Sequence, residues 1–282
     1  MDVIRSVLEM QQVSHAGRRA GHRIGFVPTM GYLHEGHLSL VRIAKARADR
    51  VVLSIFVNPI QFLPGEDLAS YPRDFTGDEA LCRSAGVDTL FYPEPSGMYA
   101  PDHSVFVEET ALSGGLCGAF RPGHFRGVTT VVAKLFNIVM PDVAVFGQKD
   151  AQQVRVIRRM VRDLNMPLEV LIGPTVREPD GLAMSSRNRY LSAAERNDAL
   201  CLHRALAEAV RLAAAGERSV ERIRAAMAAV IAQTPSARVE YIELADDETL
   251  QPVRYLERPV LAALAVRIGT TRLIDNTVLQ PA

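Results

Sequence analysis

The chain has 282 residues, of which 48% are hydrophobic and 23% charged; Lys plus Arg and Asp plus Glu each number 32. That length is comfortable for two domains and a large core, the zero formal net charge argues against a nucleic-acid binder, and no apolar stretch approaches a bilayer span. The cysteines Cys82, Cys117 and Cys201 are odd in number, widely spaced and form no CxxC, which argues against a disulfide framework or a zinc ribbon and fits a reducing compartment.

At the N-terminus, Met1 to Glu9 carries an acid at Asp2 and lacks a long apolar run, so it does not read as a signal peptide. Ile24 to Thr29 reads as a buried strand, and Leu38, Leu40, Val41, Ile43 and Ala44 mark a helix that begins near Gly36. Val51 to Val57 is a second strand, rich in β-branched residues. Val87 to Tyr92 is a third. Val128 to Val139 reads as a helix ending before Pro141. A strand at Val143 to Phe146, a helix at Val154 to Leu164 and a strand at Leu168 to Ile172 follow. Strands alternating with helices imply a Rossmann-like, doubly wound parallel sheet, with its ligand outside the carboxyl ends of the strands.

The pattern changes near Val176. Arg177 to Arg189 is polar and irregular, and Ser192-Ala193-Ala194-Glu195 is a capping box that opens a long alanine-rich helix. Gly216 ends that helix and Ser219 caps another. Val239 to Leu244, Leu261 to Ile268 and Arg272 to Ile274 read as strands with connections too short for crossover helices; Pro252 to Pro259 is left unassigned. The expectation is a domain over 1–175 and a smaller α+β domain with an antiparallel sheet over 176–282.

The polar clusters fall at the strand ends. Met30, Gly31, His34, Gly36 and His37 link the first strand to a helix N-terminus. Such a terminus presents free N–H groups and a positive dipole end to a phosphate, and two imidazoles there can donate to phosphate oxygens. A zincin site is rejected, because its histidines stand four apart and these stand three apart. After the second strand, the amides of Asn58 and Gln61 suit the hydroxyl or carboxylate of a small substrate, although for Asn58 alone a turn residue is the favoured reading. After the fourth strand come Gly147, Gln148, Lys149 and Asp150. Lys149 is a point charge suited to phosphate, and Asp150 suits Mg²⁺, a ribose hydroxyl or a helix cap. Met184, Ser185, Ser186 and Arg187 lie on a loop whose hydroxyls and guanidinium can close over a triphosphate; a solvated linker is the alternative. Arg121 to Gly127 can supply anion contacts, a structural loop or part of a subunit interface.

These stretches resemble, in order and across most of the chain, the signatures of the pantothenate synthetases (pantoate–β-alanine ligases): P-T-M-G-x-L-H-E-G-H at 28–37, F-V-N-P-x-Q-F at 56–62, Y-P-R at 71–73, R-P-G-H-F-x-G-V at 121–128, F-G-Q-K-D-x-Q-Q at 146–153 and D-G-L-A-M-S-S-R-N-R-Y-L at 180–191. The wider resemblance is to the adenylyl-transferring HxGH nucleotidyltransferase superfamily, whose signature falls on His34 to His37. The resemblance implies an ATP-dependent ligase in which Met30 to His37 bind ATP, His37 is catalytic and His34 assists it. It also implies that Gln61 and Gln153 hold pantoate, with Gln61 near β-alanine and Met30 beside the substrate. Gly147 to Asp150 and the backbone of Val176 would contact the nucleotide, and Met184, Ser185, Ser186 and Arg187 its phosphates. Lys149 and Arg187 join the histidines in neutralising charge. Mg²⁺, a homodimer and a cytoplasmic setting, with no membrane or nucleic-acid partner, belong to the same expectation. The chain departs from many members at Gln148 and at Leu63-Pro64-Gly65. A transferase that adenylylates another small acceptor is the alternative; it would share the histidines, but a phosphorylated acceptor calls for cations where Gln61 and Gln153 stand.

Overall fold

Apolar runs with no polar face, such as Ile24–Thr29 and Arg50–Ile55 after its first residue, fit only a sheet covered on both sides. In the computed structural model, which describes residues 1–281, they are the two central strands of a six-stranded parallel sheet. Its strands are β1 (Asp2–Ile4), β2 (Ile24–Thr29), β3 (Arg50–Ile55), β4 (Thr89–Phe91), β5 (Val143–Gly147) and β6 (Glu169–Gly173), in the order β1-β4-β3-β2-β5-β6. The helices of the first two thirds are α1 (Val7–Arg19), α2 (Glu35–Lys45), α3 (Phe75–Ala85), α4 (Pro95–Met98), α5 (Cys117–Phe120), α6 (His124–Val139) and α7 (Ala151–Asp163). The remainder holds α8 (Ala193–Ala214), α9 (Val220–Ala232) and the antiparallel sheet β7 (Ala237–Asp246), β8 (Val260–Ile268) and β9 (Thr271–Leu279).

The chain divides into two compact units. The first holds Met1–Ala111, Arg121–Gly147 and Gln153–Pro174, and the second holds Leu112–Phe120, Gln148–Gln152 and the described residues from Thr175 onward. In the first, Val27, Val41, Leu53, Leu90 and Val145 are buried together. In the second, Leu202 and Leu206 of α8, Ile223 and Met227 of α9, and Val260, Leu264 and Val266 of β8 form another core. The capping box at the start of α8 is present, with Ser192 accepting from Glu195 N and Glu195 accepting from Ser192 N. No helix among the described residues is long and apolar enough to cross a membrane.

Several elements had too weak a local signal to be read in advance. β1 is only three residues long and pairs solely with β4; α1 buries little beyond Met10 and Ser14. α3 carries few large apolar residues. α6 starts at His124, four residues before its apolar run, because Gly123 at φ 81° turns the chain into it. The stretch 252–259 makes single bridges, Ser219 to Tyr255 and Ala245 to Pro252, and anchors Leu256 in the second core.

The feature that shapes the site is a parting of strands. β2 pairs with β3 along all six residues, Ile24 with Arg50 through Thr29 with Ile55. With β5 it pairs only at Gly25–Val143 and Phe26–Ala144. Between β2 and β5 the strand order also reverses, the switch point at which open α/β sheets place their ligands.

Gly127 lets the backbone of α6 lie against the turn at 59–61. A Cβ there would run into the carbonyl oxygen of Ile60 and stand 2.7 Å from the Cα of Gln61. Helix propensity alone favours alanine by up to about 1 kcal/mol, whereas overpacking against rigid backbone costs about 1–3 kcal/mol. The clash should win, so Gly127→Ala is expected to lower the urea unfolding midpoint, corresponding to a net loss of about 1–2 kcal/mol; an unchanged or raised midpoint would show that the turn yields freely.

Candidate active site

β2 ends at Thr29, and five residues turn the chain into α2. Gly31 and Tyr32 both take left-handed conformations, at φ 86° and 51°, the second an uncommon state for a bulky residue. Thr29 Oγ1 accepts from Gly31 N at 3.1 Å and donates to Ser54 O at 2.8 Å, tying the turn to β3. His34 then serves as N-cap of α2. Its Nδ1 accepts from Gly36 N at 3.2 Å, and its own backbone N–H donates to His37 Nδ1 at 3.3 Å. A backbone N–H can only donate, so both Nδ1 atoms are acceptors and each neutral ring carries its proton on Nε2. The rings lie 4.1 Å apart between centroids. The turn therefore presents a pair of N–H donors at a helix N-terminus.

Beside it, a chain of hydrogen bonds sets the polarity of an amide. Gly127 O accepts from Asn58 Nδ2 at 3.1 Å, and a carbonyl can only accept, which fixes the Asn58 amide. Asn58 Nδ2 also donates to Gln61 Oε1 at 3.0 Å, and Asn58 Oδ1 accepts from Tyr99 Oη at 2.8 Å. Burial pushes the Tyr99 phenol pKa up, keeping it protonated. Gln61 Oε1 is thus committed, and Gln61 presents its NH₂ group, which approaches Met30 Sδ at 3.1 Å. The Gln61 backbone is held as well: its carbonyl accepts from Arg121 Nη2 at 3.4 Å and lies 2.8 Å from His124 Nδ1. Both Arg121 contacts to Glu66 measure 2.6 Å. Within the 121–127 stretch, Arg121 and His124 thus brace Gln61, and Arg121 also holds Glu66 of the loop that begins at Leu63.

In the first unit, Gly147 closes β5, and a Cβ on it would meet open space; Gln153 lies half-buried in the first turns of α7. In the second, Lys149 Nζ stands 3.9 Å from Asp150 Oδ1. Asn276 on β9 pins this short turn, donating from Nδ2 to Gln148 O at 3.0 Å and Lys149 O at 2.9 Å, and accepting from Gln148 Nε2 at 2.9 Å. Val176 O accepts from Met184 N at 3.0 Å, so the hairpin through Gly181 sets Val176 beside the 184–187 loop. Ser185 Oγ caps the following 3₁₀ turn through Arg187 N, Ser186 is buried and Arg187 half-buried.

A family model described as pantoate-beta-alanine ligase matches residues 2–278. The chain belongs to the pantoate-beta-alanine ligase family. The pantothenate synthetase of Heliobacterium modesticaldum is 58% identical over 280 residues, covering 99% of this chain and 100% of that one. The crystal structure of pantothenate synthetase from Thermus thermophilus superposes with a TM-score of 0.95 at 45% identity, covering 100% of both chains. The pantoate-beta-alanine ligase from Francisella tularensis, crystallised as a complex with beta-gamma ATP and beta-alanine, matches with a TM-score of 0.82 at 32% identity, over 99% of this chain and 97% of that one.

Within this ligase, Met30, Gly31, His34, His37, Asn58 and Gln61 share one neighbourhood of the first unit, and Lys149, Asp150, Val176 and Met184 to Arg187 belong to the second. Asn58 is 1% exposed and both ends of its amide are engaged by protein groups, so it fixes the orientation of the Gln61 amide. Sequence reasoning missed the braces Glu66, Tyr99 and Asn276, whose partners lie 41 to 128 positions away. No cluster of three metal-ligating side chains occurs among the described residues. Asp150 offers a single carboxylate, 45% exposed in its side chain, a donor set that fits a magnesium ion carried by substrate phosphates and not a protein-built cage.

Burial pushes the Glu66 carboxyl up, but Arg121, the Leu63 N–H and His124 outweigh it and hold it below the usual range. A depressed folded-state pKa adds stability above the unfolded value, near 4.5, and that stability fades as pH falls through the folded value. Glu66→Gln is therefore expected to be less stable than the parent at neutral pH, with the difference in melting temperature closing below the unfolded value. A difference independent of pH would rule out this ion pair as its source.

Proposed function

We propose that the enzyme condenses (R)-pantoate with β-alanine in two steps at the expense of ATP, through a pantoyl-adenylate, in the formation of pantothenate. A carboxylate is a poor acylating agent because its leaving group would be oxide. In the first step a pantoate carboxylate oxygen attacks the α-phosphorus of ATP, the bond to the bridging oxygen breaks, and pyrophosphate leaves. In the second, the neutral amine of β-alanine attacks the acyl carbon, AMP departs with the C–O bond electrons, and the amine loses a proton. No covalent enzyme intermediate is needed.

The observation that carries this reading is the pair of Nε2–H donors at the α2 N-terminus, with the NH₂ of Gln61 tied to Met30 of the same turn. Preorganised donors aimed where phosphoryl charge develops are the main catalytic resource for such a transfer. A donor amide beside them suits a carboxylate or hydroxyl. In this reading His37 and His34 act on the phosphates of ATP, with Lys149 and Arg187 adding positive charge. Met30, Gly31, Gly147, Gln148, Asp150, Val176, Met184, Ser185 and Ser186 contact the nucleotide, Asp150 sharing its magnesium ion. Gln61 and Gln153 hold pantoate, Gln61 being oriented by Asn58. The complex of the Francisella tularensis ligase with beta-gamma ATP and beta-alanine supports the same substrates here. The family resemblance supports a cytoplasmic homodimer.

The test is pantoate-dependent exchange of labelled pyrophosphate into ATP without β-alanine. Exchange is expected, and adding β-alanine should release AMP; a folded, ATP-binding enzyme that exchanges nothing would rule out a discrete adenylate. His37→Ala should reduce exchange about 10²- to 10³-fold with little change in unfolding midpoint, since a turn histidine carries no core. Near-normal exchange by that variant would remove His37 from the chemistry.

A further inference from the structure

We infer that Asp78 is a positioning residue for the two histidines, acting through the backbone of the turn that carries them; the inference rests on the role given to His34 and His37 above. Asp78 lies in the first turn of α3, is 3% exposed, and belongs to none of the motifs already described. One carboxylate oxygen accepts from Tyr32 N at 2.8 Å and the other from Leu33 N at 2.6 Å. Gly31 and Tyr32 are successive left-handed residues, and turns of this kind make neighbouring backbone N–H groups converge on an anion. Here that anion is a side chain from a different helix. A Cβ on Gly31 would stand 3.0 Å from the same carboxylate oxygen and 2.8 Å from Ile55 Cγ2, so the turn is closed over Asp78 on both sides.

The residue after this pair of N–H groups is His34. Its φ and ψ place its ring as the cap of α2, and its N–H holds His37. A shift of the 32–33 backbone therefore moves both imidazoles together. Only an ionised carboxylate serves both N–H groups: asparagine has the same shape but would set an NH₂ against one of them. Burial pushes the Asp78 pKa up, against the two N–H bonds that pull it down, and Asp74 at the helix cap adds to the rise. The α3 N-terminus also favours a negative charge at this position.

The experiment compares Asp78→Asn, His37→Ala and the double variant Tyr32→Gly with Asp78→Asn in the full chain. Folding is checked by circular dichroism and thermal melting, and kcat and KM are measured for ATP and β-alanine. Asp78→Asn is expected to fold and to lose about 10²-fold in kcat/KM for ATP, as for a reacting group displaced by about 1 Å, while KM for β-alanine stays within about twofold. Tyr32→Gly relieves the left-handed tyrosine, so the double variant should regain part of the lost kcat. A folded Asp78→Asn with parental kcat and ATP KM, alongside an inactive His37→Ala, would overturn the inference and leave the histidine reading standing. An active His37→Ala would overturn both. Should Asp78→Asn not fold, Asp78→Glu, which keeps the charge on a longer arm, must show the same split between ATP and β-alanine for the inference to hold.

Discussion

The parting of β2 from β5 after two residue pairs is the constraint on which the candidate site of the first unit depends. Parallel strands that stayed paired to their ends would close the crevice with ladder hydrogen bonds. Here β2 keeps its partner β3 and β5 keeps its partner β6 as far as Gly147–Gly173, so both strands stay anchored while the space between their ends opens. The freed end of β2 leads into the left-handed turn and the histidine cap. The freed end of β5 leads to Gly147, where a side chain would meet open space.

Inside that frame, the polarity of the site is set by groups that have no choice. Backbone N–H groups force both histidine Nδ1 atoms to accept, and the Gly127 carbonyl forces Asn58 to donate. The consequences propagate outward: donor rings at one end, a donor amide on Gln61 at the other. Gly127 matters twice, because it supplies the carbonyl that orients Asn58 and lacks the side chain that would push the Gln61 turn away. Buried polar groups tolerate few alternatives when each partner has a fixed role, which is how such networks specify one geometry.

Much of the architecture could be read from local pattern. The β-branched run of β3, the apolar face of α6 and the capping box of α8 each carry a strong, short-range signal. The site motifs were legible for a related reason: glycines, histidines and amides cluster where β2, β3 and β5 end. What local pattern missed was weakly patterned or distant. β1 pairs three residues with a strand more than eighty positions away, and α1 shows a mostly polar surface. Asp78 looks like an ordinary acid in a helix first turn, and Glu66 like a charge in a loop. The partners that engage the Asn58 amide, Tyr99 and Gly127 besides Gln61, were equally invisible to local pattern.

By itself the sequence determined the alternation of strands and helices, the glycines, histidines and amides gathered at the strand ends, and the family to which the chain belongs. These depend on side-chain chemistry and spacing along the chain, which need no folding to be present. Tertiary structure alone decided where the sheet parts, which nitrogen of each imidazole accepts, which way the Gln61 amide points, and which carboxylate holds the histidine turn. Those depend on partners that folding brings together from distant positions, such as Asp78 with Leu33 and Gly127 with Asn58. A hydrogen bond has direction and a fixed donor, and only the folded chain chooses which groups share one.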